Sequence, residues 1–585
     1  MPADFVAQPR FSRRAFLCGA AVGALACGAA VPARASRRPN VVLVMTDDQG
    51  YGDLGCLGNP VLKTPHLDRL HAESARLTDF HVSPTCAPTR AALLTGRYNN
   101  RSGVWHTVMG RSLLARDEKT MADYFAGAGY RTGLFGKWHL GDDYPYRPRD
   151  RGFQEVLAHG GGGIGQTPDY WGNEYINDTY FHNGEPESFE AYCTDVWFDA
   201  ARRFITEHRD APFFCYLPTN APHHPYIVPP EYSEPFKAQG LSDDQANFYG
   251  MIANLDENMG RLLQTLDEQG IAEDTILIFM TDNGTSAGDR AGMRGAKGSE
   301  YEGGHRVPCF VRWPAGPVAR GADIPVLSAH IDLLPTLLGY CGISPEGGPP
   351  FDGVSLAPWL NAPETPAPER AIVVDSQRIE HPEKWRKSAV LEGRWRLING
   401  TELYDLSRDP GQEQDRAAEE PALAAHLREV YERWWADVSR TFDRYCPLVI
   451  GAAGQGATHL NGHDWHTPIE QIPWHQKHIL AGLAGNGFWA VEVAEAGEYH
   501  FALRRWPREA NAPIRAAVDG GAALAIVEAR IRIGGQEASS PVNEGDVAAD
   551  FTLRLEKGET RLETAFIDEA GVERGAYYVS VTRTG

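Results

Sequence analysis

The sequence has fewer positively charged than negatively charged residues. It has 56 Lys and Arg residues against 77 Asp and Glu residues, which gives a formal net charge of −21 at pH 7. A surface of this sign repels nucleic acid and anionic membranes. The sequence therefore predicts no nucleic-acid partner and no membrane partner for the mature protein, and any anionic substrate must be attracted by local charge.

The apolar run near the N-terminus is too short to cross a membrane. It ends at Val31 and falls below the ~20 residues that span a bilayer. A twin-arginine pattern at Arg13 and Arg14 precedes it, and a cleavage-like sequence ending at Ala35 follows it. Residues 1–35 are therefore predicted to be a twin-arginine signal peptide, so that the mature protein is periplasmic or secreted. A lipoprotein signal ending at Cys27 is the alternative.

Cysteine is also sparse, with nine in the chain, and Cys18 and Cys27 would leave with the signal peptide. Cys215 and Cys309 lie in apolar, strand-like runs, where a free buried thiol is expected. Four further cysteines are able to pair in an oxidising compartment, and the sequence does not assign their pairing: Cys56, Cys193, Cys341 and Cys446.

Two apolar runs are each followed by acidic residues. Residues 41–45 and 275–280 are continuous apolar runs, typical of strands that are covered on both faces. Asp47 and Asp48 follow the first run, and Asp282 and Asn283 follow the second. Taken alone, such residues form turns or helix caps. In a parallel sheet, however, both tails open on one crevice, and their oxygens suit Ca²⁺ or Mg²⁺ better than Zn²⁺.

The seventh cysteine that remains, Cys86, stands just ahead of a predicted helix. Pro88 suits the first turn of a helix, and residues 91–94 are good helix formers. The helix start favours an anion, whether a thiolate or an oxyanion on a modified residue, and Arg90 adds positive charge one turn on. For Cys86 alone, a buried or disulfide-bonded cysteine is the simpler interpretation.

The spacing Cys86-x-Pro88-x-Arg90, followed by Ala-Ala-Leu-Leu-Thr-Gly-Arg over residues 91–97, resembles the signature of the type I sulfatases. Thr89 is a mild departure, because the family more often has Ser there. The resemblance covers the chain from about residue 40 to about residue 437. It implies that Cys86 is oxidised to Cα-formylglycine by a formylglycine-generating enzyme.

The resemblance also implies a metal site and the roles of the basic residues. The implied metal ligands are Asp47, Asp48, Asp282 and Asn283, together with the modified Cys86, and the metal is usually calcium, with magnesium possible. Further motifs match the family: Gly-Lys-Trp-His-Leu-Gly over 136–141, Pro-His-x-Pro over 222–225, and Gly-x-Lys-Gly over 295–298 before Glu-Gly-Gly-x-Arg-Val-Pro over 302–308.

Each basic residue has a role that follows from the chemistry of a sulfate ester. Lys137 and Lys297 bind sulfate oxygens, and His223 with Lys297 protonates the leaving alcohol. His139 is the base that takes the remaining hydroxyl proton of the sulfated gem-diol, while Arg90 and Lys137 orient the diol. His224 is a rival of His223 for the acid role. In isolation, a Lys or His in a loop is more often a solvated surface residue.

Two loop regions, residues 101–106 and 160–171, have two interpretations. They either cover the pocket and hold the leaving group, or they are long surface connections. A later stretch is rich in His and Trp but has no recognisable zinc-binding spacing. It is either a connector packed on the catalytic domain or a rim of the pocket. Its members are His459, His463, Trp465, His466, Trp474, His475 and His478.

At 585 residues the chain exceeds the size of one domain, since single cores stop growing at roughly 250–300 residues. After the signal peptide we predict a catalytic domain over 36–365, a small antiparallel α+β subdomain over 366–440, and a connector with a β-sandwich-like domain over 441–585. The fold class is α/β, with a mixed, largely parallel sheet flanked by helices, as in alkaline phosphatase.

The predicted activity is hydrolysis of a sulfate ester by S–O cleavage, with a sulfated small molecule or saccharide as the substrate. The nearest rival enzyme is a phosphonate monoester or phosphodiester hydrolase with the same nucleophile. A second class is a non-catalytic protein that binds sulfated glycans, in which Cys86 stays a thiol. The sequence does not identify the alcohol that carries the sulfate.

Overall fold

The computed structural model of the protein describes residues 38–585. The predicted signal peptide lies outside these residues, as do Cys18 and Cys27. Strands and helices are numbered here in chain order. Within residues 38–585, no helix is both long enough and apolar enough to cross a bilayer.

The largest sheet has ten strands, in the order β11-β2-β10-β9-β1-β8-β4-β5-β6-β7. The five central strands from β9 to β5 are parallel, and antiparallel strands flank them on both sides. The strands are β1 (Asn40–Thr46), β2 (Ala75–Leu77), β4 (Arg131–Lys137), β5 (Glu155–His159), β6 (Thr179–His182), β7 (Glu185–Ser188), β8 (Phe213–Pro218), β9 (Thr275–Thr281), β10 (Cys309–Arg312) and β11 (Ala322–Ile324). A separate parallel pair is formed by β3 (Phe80–His81) and β12 (Ser328–Ala329).

Helices cover both faces of this sheet, because the central strands are apolar on both sides. Val41, Leu43 and Met45 of β1 pack toward α2, α3 and α8, whereas Val42 and Val44 pack toward α1, α4 and α6. The helices of this part of the chain are α1 (Pro65–Glu73), α2 (Cys86–Thr95), α3 (Met121–Gly127), α4 (Cys193–Glu207), α5 (Pro230–Lys237), α6 (Asp243–Glu268), α7 (Glu302–His305), α8 (Leu333–Cys341) and α9 (Ala357–Asn361). The predicted α/β class with a largely parallel sheet is confirmed.

A second, smaller sheet follows. Its four strands are antiparallel and consecutive: β13 (Ala371–Asp375), β14 (Ser388–Glu392), β15 (Trp395–Ile398) and β16 (Glu402–Asp405). Helix α10 (Pro421–Val438) packs on one face through Leu427 and Tyr431. The other face packs on the large domain, where Ala92 of α2 meets the apolar side chains of the sheet. This is the predicted antiparallel α+β unit.

The C-terminal region is a β-sandwich. One sheet contains β17 (Leu448–Ile450), β19 (Phe488–Val493), β21 (Ile526–Ile533), β22 (Gln536–Pro541), β24 (Gly558–Asp568) and β25 (Glu573–Arg574), and the other contains β18 (Thr458–Asn461), β20 (Gly497–Arg504), β23 (Ala549–Leu555) and β26 (Tyr578–Arg583). The two sheets share one core, in which Trp489 of the first sheet and Phe501 of the second are fully buried. A short helix, α11 (Gln476–Leu480), lies between β18 and β19.

This sandwich is packed directly onto the large domain. Its apolar core continues into Val108, Met109, Leu113 and Tyr146, which belong to loops of the large domain. Residues 38–585 accordingly form one compact unit. The predicted domain boundaries at residues 365 and 440 stay predictions.

Candidate active site

The acidic residues at the ends of β1 and β9 lie side by side. The two strands are parallel and in register, with Thr46 opposite Thr281, so the residues that follow them leave the sheet at the same point. The Asp48 backbone N–H donates to Asp282 Oδ1 at 3.2 Å, and Asn283 Nδ2 donates to Asp48 Oδ1 at 2.7 Å. All three residues are buried, as is Asp47. The four predicted metal ligands are therefore brought together.

Cys86 is the first residue of α2 and is buried beside these carboxylates. The helix begins at Cys86 and not after it, with Thr85 as the N-cap residue. Burial raises the pKa of the thiol to about 11, although Lys137 and Lys297 act in the opposite direction. The helix start therefore does not hold Cys86 as a thiolate, and the unmodified side chain is a neutral thiol at pH 7.

Two buried cations, Arg90 and Lys137, bind the carboxylates beside Cys86. Arg90 Nη2 donates to Asp282 Oδ2 at 2.7 Å, and Arg90 Nη1 donates to the Lys137 carbonyl oxygen at 2.8 Å. Lys137, the last residue of β4, donates to Asp47 Oδ2 at 2.5 Å. Burial and Asp47 raise the pKa of Asp282 to about 6, with Arg90 opposing them. These contacts fix the predicted diol-orienting residues on the metal-ligand cluster.

Lys297 and His223, which lie on two further loops, contact the same cluster at Asp48. Lys297 Nζ lies 2.7 Å from Asp48 Oδ1, and His223 Nε2 lies 3.7 Å from Asp48 Oδ2. Burial would raise the pKa of Asp48, but Lys297 and His223 outweigh burial and hold it well below its usual range. The rival His224 is exposed and packs its ring against Tyr226, so the structure places His223 at the cluster.

His139 is held in a single tautomer. It lies in the left-handed region, with φ of 65°, and its Nε2 is 2.8 Å from the Thr107 carbonyl oxygen. A carbonyl oxygen only accepts hydrogen bonds, so Nε2 carries the proton and Nδ1 keeps its lone pair. Burial, then Lys137, lower the pKa of His139 well below 6.5, so the ring is neutral at pH 7. The side chain is therefore suited to act as a base through Nδ1.

The oxygen atoms of the cluster fit a hard cation. Asp47 Oδ1 and Asn283 Oδ1 are buried and have no hydrogen-bond partner within residues 38–585. Ligand atoms of Asp47, Asp48, Cys86 and His223 lie within 4.8 Å of one another. Both oxygens of Asp282 already accept hydrogen bonds, from Asp48 and Arg90. The donor set is mostly oxygen, which suits Ca²⁺ or Mg²⁺.

One of the two loop regions with open interpretations, residues 160–171, touches His139. Gly162 packs so closely on the His139 ring that an added Cβ would lie 2.3 Å from it. Thr107, which directly follows residues 101–106, supplies the carbonyl oxygen that binds His139, whereas Arg101 is paired with Asp352 and Asp437 and supports the fold. Residues 160–171 are therefore more than a surface connection.

The His/Trp-rich stretch is mainly a packed connector. Trp465 is fully buried against Trp489 and Tyr577, so its ring belongs to the sandwich core and not to a rim of the pocket. Trp474 is 37% exposed and stands beside His475 and His478. Sequence reasoning missed that His463 lies next to His139, with ring centroids 6.4 Å apart. No signal in the sequence places these two residues together.

The described cysteines are all free. Cys215 and Cys309 are buried thiols, as predicted, and the four cysteines that were able to pair are unpaired: Cys56, Cys193, Cys341 and Cys446. A cavity of about 280 Å³ lies near the active site, between the large domain and the sandwich. His159 and Asp142 from the large domain and Tyr578 from the sandwich line it, and it shares no residue with the cluster around Cys86.

Comparison with known proteins gives a consistent result. The family model described as Sulfatase matches residues 39–343. The chain is 34% identical to human arylsulfatase A over 373 residues, which cover 58% of this chain and 70% of that protein. It is 32% identical to rat N-acetylgalactosamine-6-sulfatase over 373 residues, which cover 58% of this chain and 68% of that protein.

A solved structure is similar over a longer stretch. The crystal structure of Ps i-CgsB in complex with k-i-k-neocarrahexaose has a TM-score of 0.64 and 28% sequence identity to this chain. The match covers 70% of this chain and 95% of that one. Each of these three matches leaves at least 30% of the chain outside it.

Proposed function

Because the chain belongs to the sulfatase family and is a sulfatase enzyme, we propose that it cleaves the S–O bond of an aryl or carbohydrate sulfate with a formylglycine made from Cys86. The observation that carries the proposal is the environment of Cys86. Its thiol is buried with its pKa raised to about 11, and the cations Lys137 and Lys297 lie close enough to oppose that rise. A neutral thiol is a poor nucleophile, whereas a hydrated aldehyde at this position would be oriented by those cations.

Attack on sulfur is the first part of the proposed mechanism. One hydroxyl of the hydrated residue 86 gives its proton to a carboxylate of the neighbouring cluster and attacks the sulfur atom, and the bond from sulfur to the alcohol oxygen breaks. Lys137 and Lys297 bind sulfate oxygens, and His223 with Lys297 delivers a proton to the departing alcohol. Burial and Lys297 lower the pKa of His223 to about 3, so His223 needs the negative charge of a bound sulfate to hold that proton.

Release of sulfate is the second part. His139 Nδ1 takes the proton of the second hydroxyl, the aldehyde forms again, and the bond from residue 86 to the sulfate breaks. The neutral tautomer that Thr107 fixes leaves Nδ1 free for this proton. A bound Ca²⁺ or Mg²⁺, held by Asp47, Asp48, Asp282 and Asn283, would neutralise charge on the sulfate and polarise its oxygens.

Peptide mass spectrometry of the active enzyme tests the proposal. The peptide that contains residue 86 should carry formylglycine, and Cys86→Ala should abolish hydrolysis of an aryl sulfate. Cys309→Ala is the matched control, because Cys309 is equally buried but lies in β10, and this variant should keep its activity. Full activity with only an unmodified thiol at position 86 would overturn the mechanism. Faster turnover of an aryl phosphonate monoester would favour the rival hydrolase.

Export by the twin-arginine route remains part of the proposal. The route carries folded proteins, so it is compatible with oxidation of Cys86 and metal loading in the cytoplasm. The pattern at Arg13 and Arg14 supports it. Replacing both arginines with lysine should leave the enzyme inside the cell, as measured by activity in the periplasmic and cytoplasmic fractions.

A further inference from the structure

A segment of the C-terminal region, residues 461–466, reaches the active site beyond the part of the chain that the family model matches. It is anchored on the sandwich, where the Gly462 N–H donates to the Tyr577 carbonyl oxygen at 2.7 Å and the His466 N–H donates to the Phe488 carbonyl oxygen at 2.9 Å. It is anchored on the large domain as well, because the Met109 N–H donates to the His463 carbonyl oxygen at 3.0 Å. The backbone of His463 is therefore fixed from two sides.

The imidazole of His463 is oriented by its neighbour. His463 Nδ1 lies 3.2 Å from Asp464 Oδ1, and both side chains are buried. A carboxylate oxygen accepts this hydrogen bond from the Nδ1–H group, which leaves Nε2 as the ring nitrogen that is able to accept one. Nε2 is buried and has no partner among the described residues. The pair therefore holds one hydrogen-bond acceptor in a fixed direction.

The surroundings of His463 indicate what this acceptor would bind. His139, whose Nδ1 is also buried without a partner, lies opposite, and His106 is close by. The lysines and Arg90 are bonded to the carboxylates around Cys86 and do not bond to His463. A sulfate oxygen is itself an acceptor and does not satisfy Nε2. A hydroxyl group of the alcohol does, because its O–H is a donor.

We infer that His463, held by Asp464, contacts the substrate and accepts a hydrogen bond from a hydroxyl group of the alcohol that carries the sulfate. The substrate class is then a sulfated saccharide, since a simple aryl alcohol has no further hydroxyl to donate. This inference rests on the proposed function. It assigns a part in substrate binding to the C-terminal region, which lies outside residues 39–343 that the family model matches.

The test compares two kinds of substrate. We would measure kcat/KM with 4-nitrophenyl sulfate and with a panel of hexoses and N-acetylhexosamines sulfated at each position. His463→Leu should lower kcat/KM about 10- to 100-fold on the best sulfated sugar and less than about 3-fold on the aryl sulfate. His463→Gln, which retains an acceptor, should recover part of the loss and guards against misfolding of the Leu variant.

His466→Gln is the matched control, because His466 is a buried histidine of the same segment that bonds to Glu380 and not toward His139. It should change the two substrates alike. Equal losses on both substrates in the His463 variants would overturn the inference and make His463 a structural residue. Turnover of the aryl sulfate but of no sulfated sugar by the wild-type enzyme would overturn the substrate class and leave the proposed function standing. Turnover of neither would overturn both.

Discussion

At the scale of single residues, the hydrogen-bond acceptors beside each histidine decide which ring nitrogen carries the proton. Thr107 offers His139 a carbonyl oxygen, which forces the ring proton onto Nε2, and burial keeps the ring neutral. At His463, the acceptor is the Asp464 carboxylate, and the ring nitrogen that donates to it is Nδ1. Two histidines, each with one ring nitrogen left without a partner among the described residues, therefore lie with ring centroids 6.4 Å apart, although neither has an unusual sequence environment.

His139→Gln should stop the reaction after the alcohol has left. Glutamine is not a base, so we expect kcat to fall about 10²- to 10⁴-fold, with a burst of one alcohol per enzyme and sulfate retained on residue 86. Stopped-flow kinetics and intact-protein mass spectrometry measure both effects. His71→Gln is the control, because that half-buried histidine lies on α1 away from the cluster. A slow variant without a burst or a sulfated peptide would place His139 in an earlier step.

Removal of divalent metal should inactivate the enzyme. The buried, unpartnered oxygens of Asp47 and Asn283 need a cation, and oxygen ligands favour hard ions. Activity lost to a chelator should return with Ca²⁺ or Mg²⁺, and the same ions should raise the Tm, since a ligand that binds only the folded state stabilises it. Recovery with Zn²⁺ alone would contradict this assignment.

At the scale of secondary-structure elements, one ion-pair network joins the small sheet to the active-site loops. Arg396 of β15 donates to Glu302 Oε1 at 2.8 Å and to Asp79 Oδ1 at 2.9 Å, and Arg396 and Glu302 are fully buried. Glu302 begins α7, directly after the loop that carries Lys297. Burial would raise the pKa of Glu302, but Arg396 and nearby histidines outweigh burial and depress it. The small sheet thus holds the Lys297 loop in place.

Glu302→Gln should destabilise the protein in a pH-dependent way. Breaking a buried ion pair costs about 3–5 kcal/mol, so we expect a lower Tm at pH 7. The pKa of Glu302 is depressed in the folded state, so its stabilisation is complete above the ordinary value of 4.5 and decreases as the pH falls below it. The Tm difference between wild type and variant, measured by calorimetry, should therefore be constant above pH ~5 and shrink in acid.

The control for this prediction is Glu495→Gln. Glu495 pairs with Lys557 on the surface of the sandwich, and an exposed pair contributes at most about 1 kcal/mol. Its Tm should change little at any pH. A Tm difference for Glu302→Gln that grows in acid would mean that Glu302 is protonated in the folded protein.

For the whole molecule, the sandwich is an integral part of the enzyme. Its core continues into Val108 and Met109, which border the loop that binds His139. Residues 461–466 bond to both parts. Damage to the sandwich core is therefore expected to reach the active-site loops.

Trp465→Ala and Trp474→Ala should separate packing from substrate contact. Trp465 is fully buried, so its truncation should cost about 3–5 kcal/mol and reduce activity on large and small substrates alike. Trp474 is 37% exposed, so its truncation should leave the Tm nearly unchanged. Thermal melting and kcat/KM with an aryl sulfate and a sulfated saccharide check both expectations. Selective loss on the saccharide in Trp474→Ala would assign Trp474 to the rim, and a large fall in its Tm would contradict its exposure.

The sequence by itself determined the central sheet and the residues around Cys86. Apolar runs of strand length, such as residues 41–45, leave few alternatives, and in-register parallel strands must bring Asp47 and Asp282 to one edge. The motif at Cys86 indicated the proposed nucleophile by its resemblance to a family. In the sandwich, an alternation of apolar and polar residues typical of strands was visible for β19, β20, β23 and β26, but β21, β22 and β24 were not predicted.

Only the tertiary structure decided three matters. It buried Cys86 deeply enough that burial raises the pKa of the thiol to about 11 against the opposing charges of Lys137 and Lys297. It placed Trp465 in the sandwich core, because aromatic side chains in an irregular stretch have no period that predicts burial. It brought His463 beside His139, more than 300 residues earlier in the chain, because the docking of two surfaces depends on their shapes and not on any local pattern.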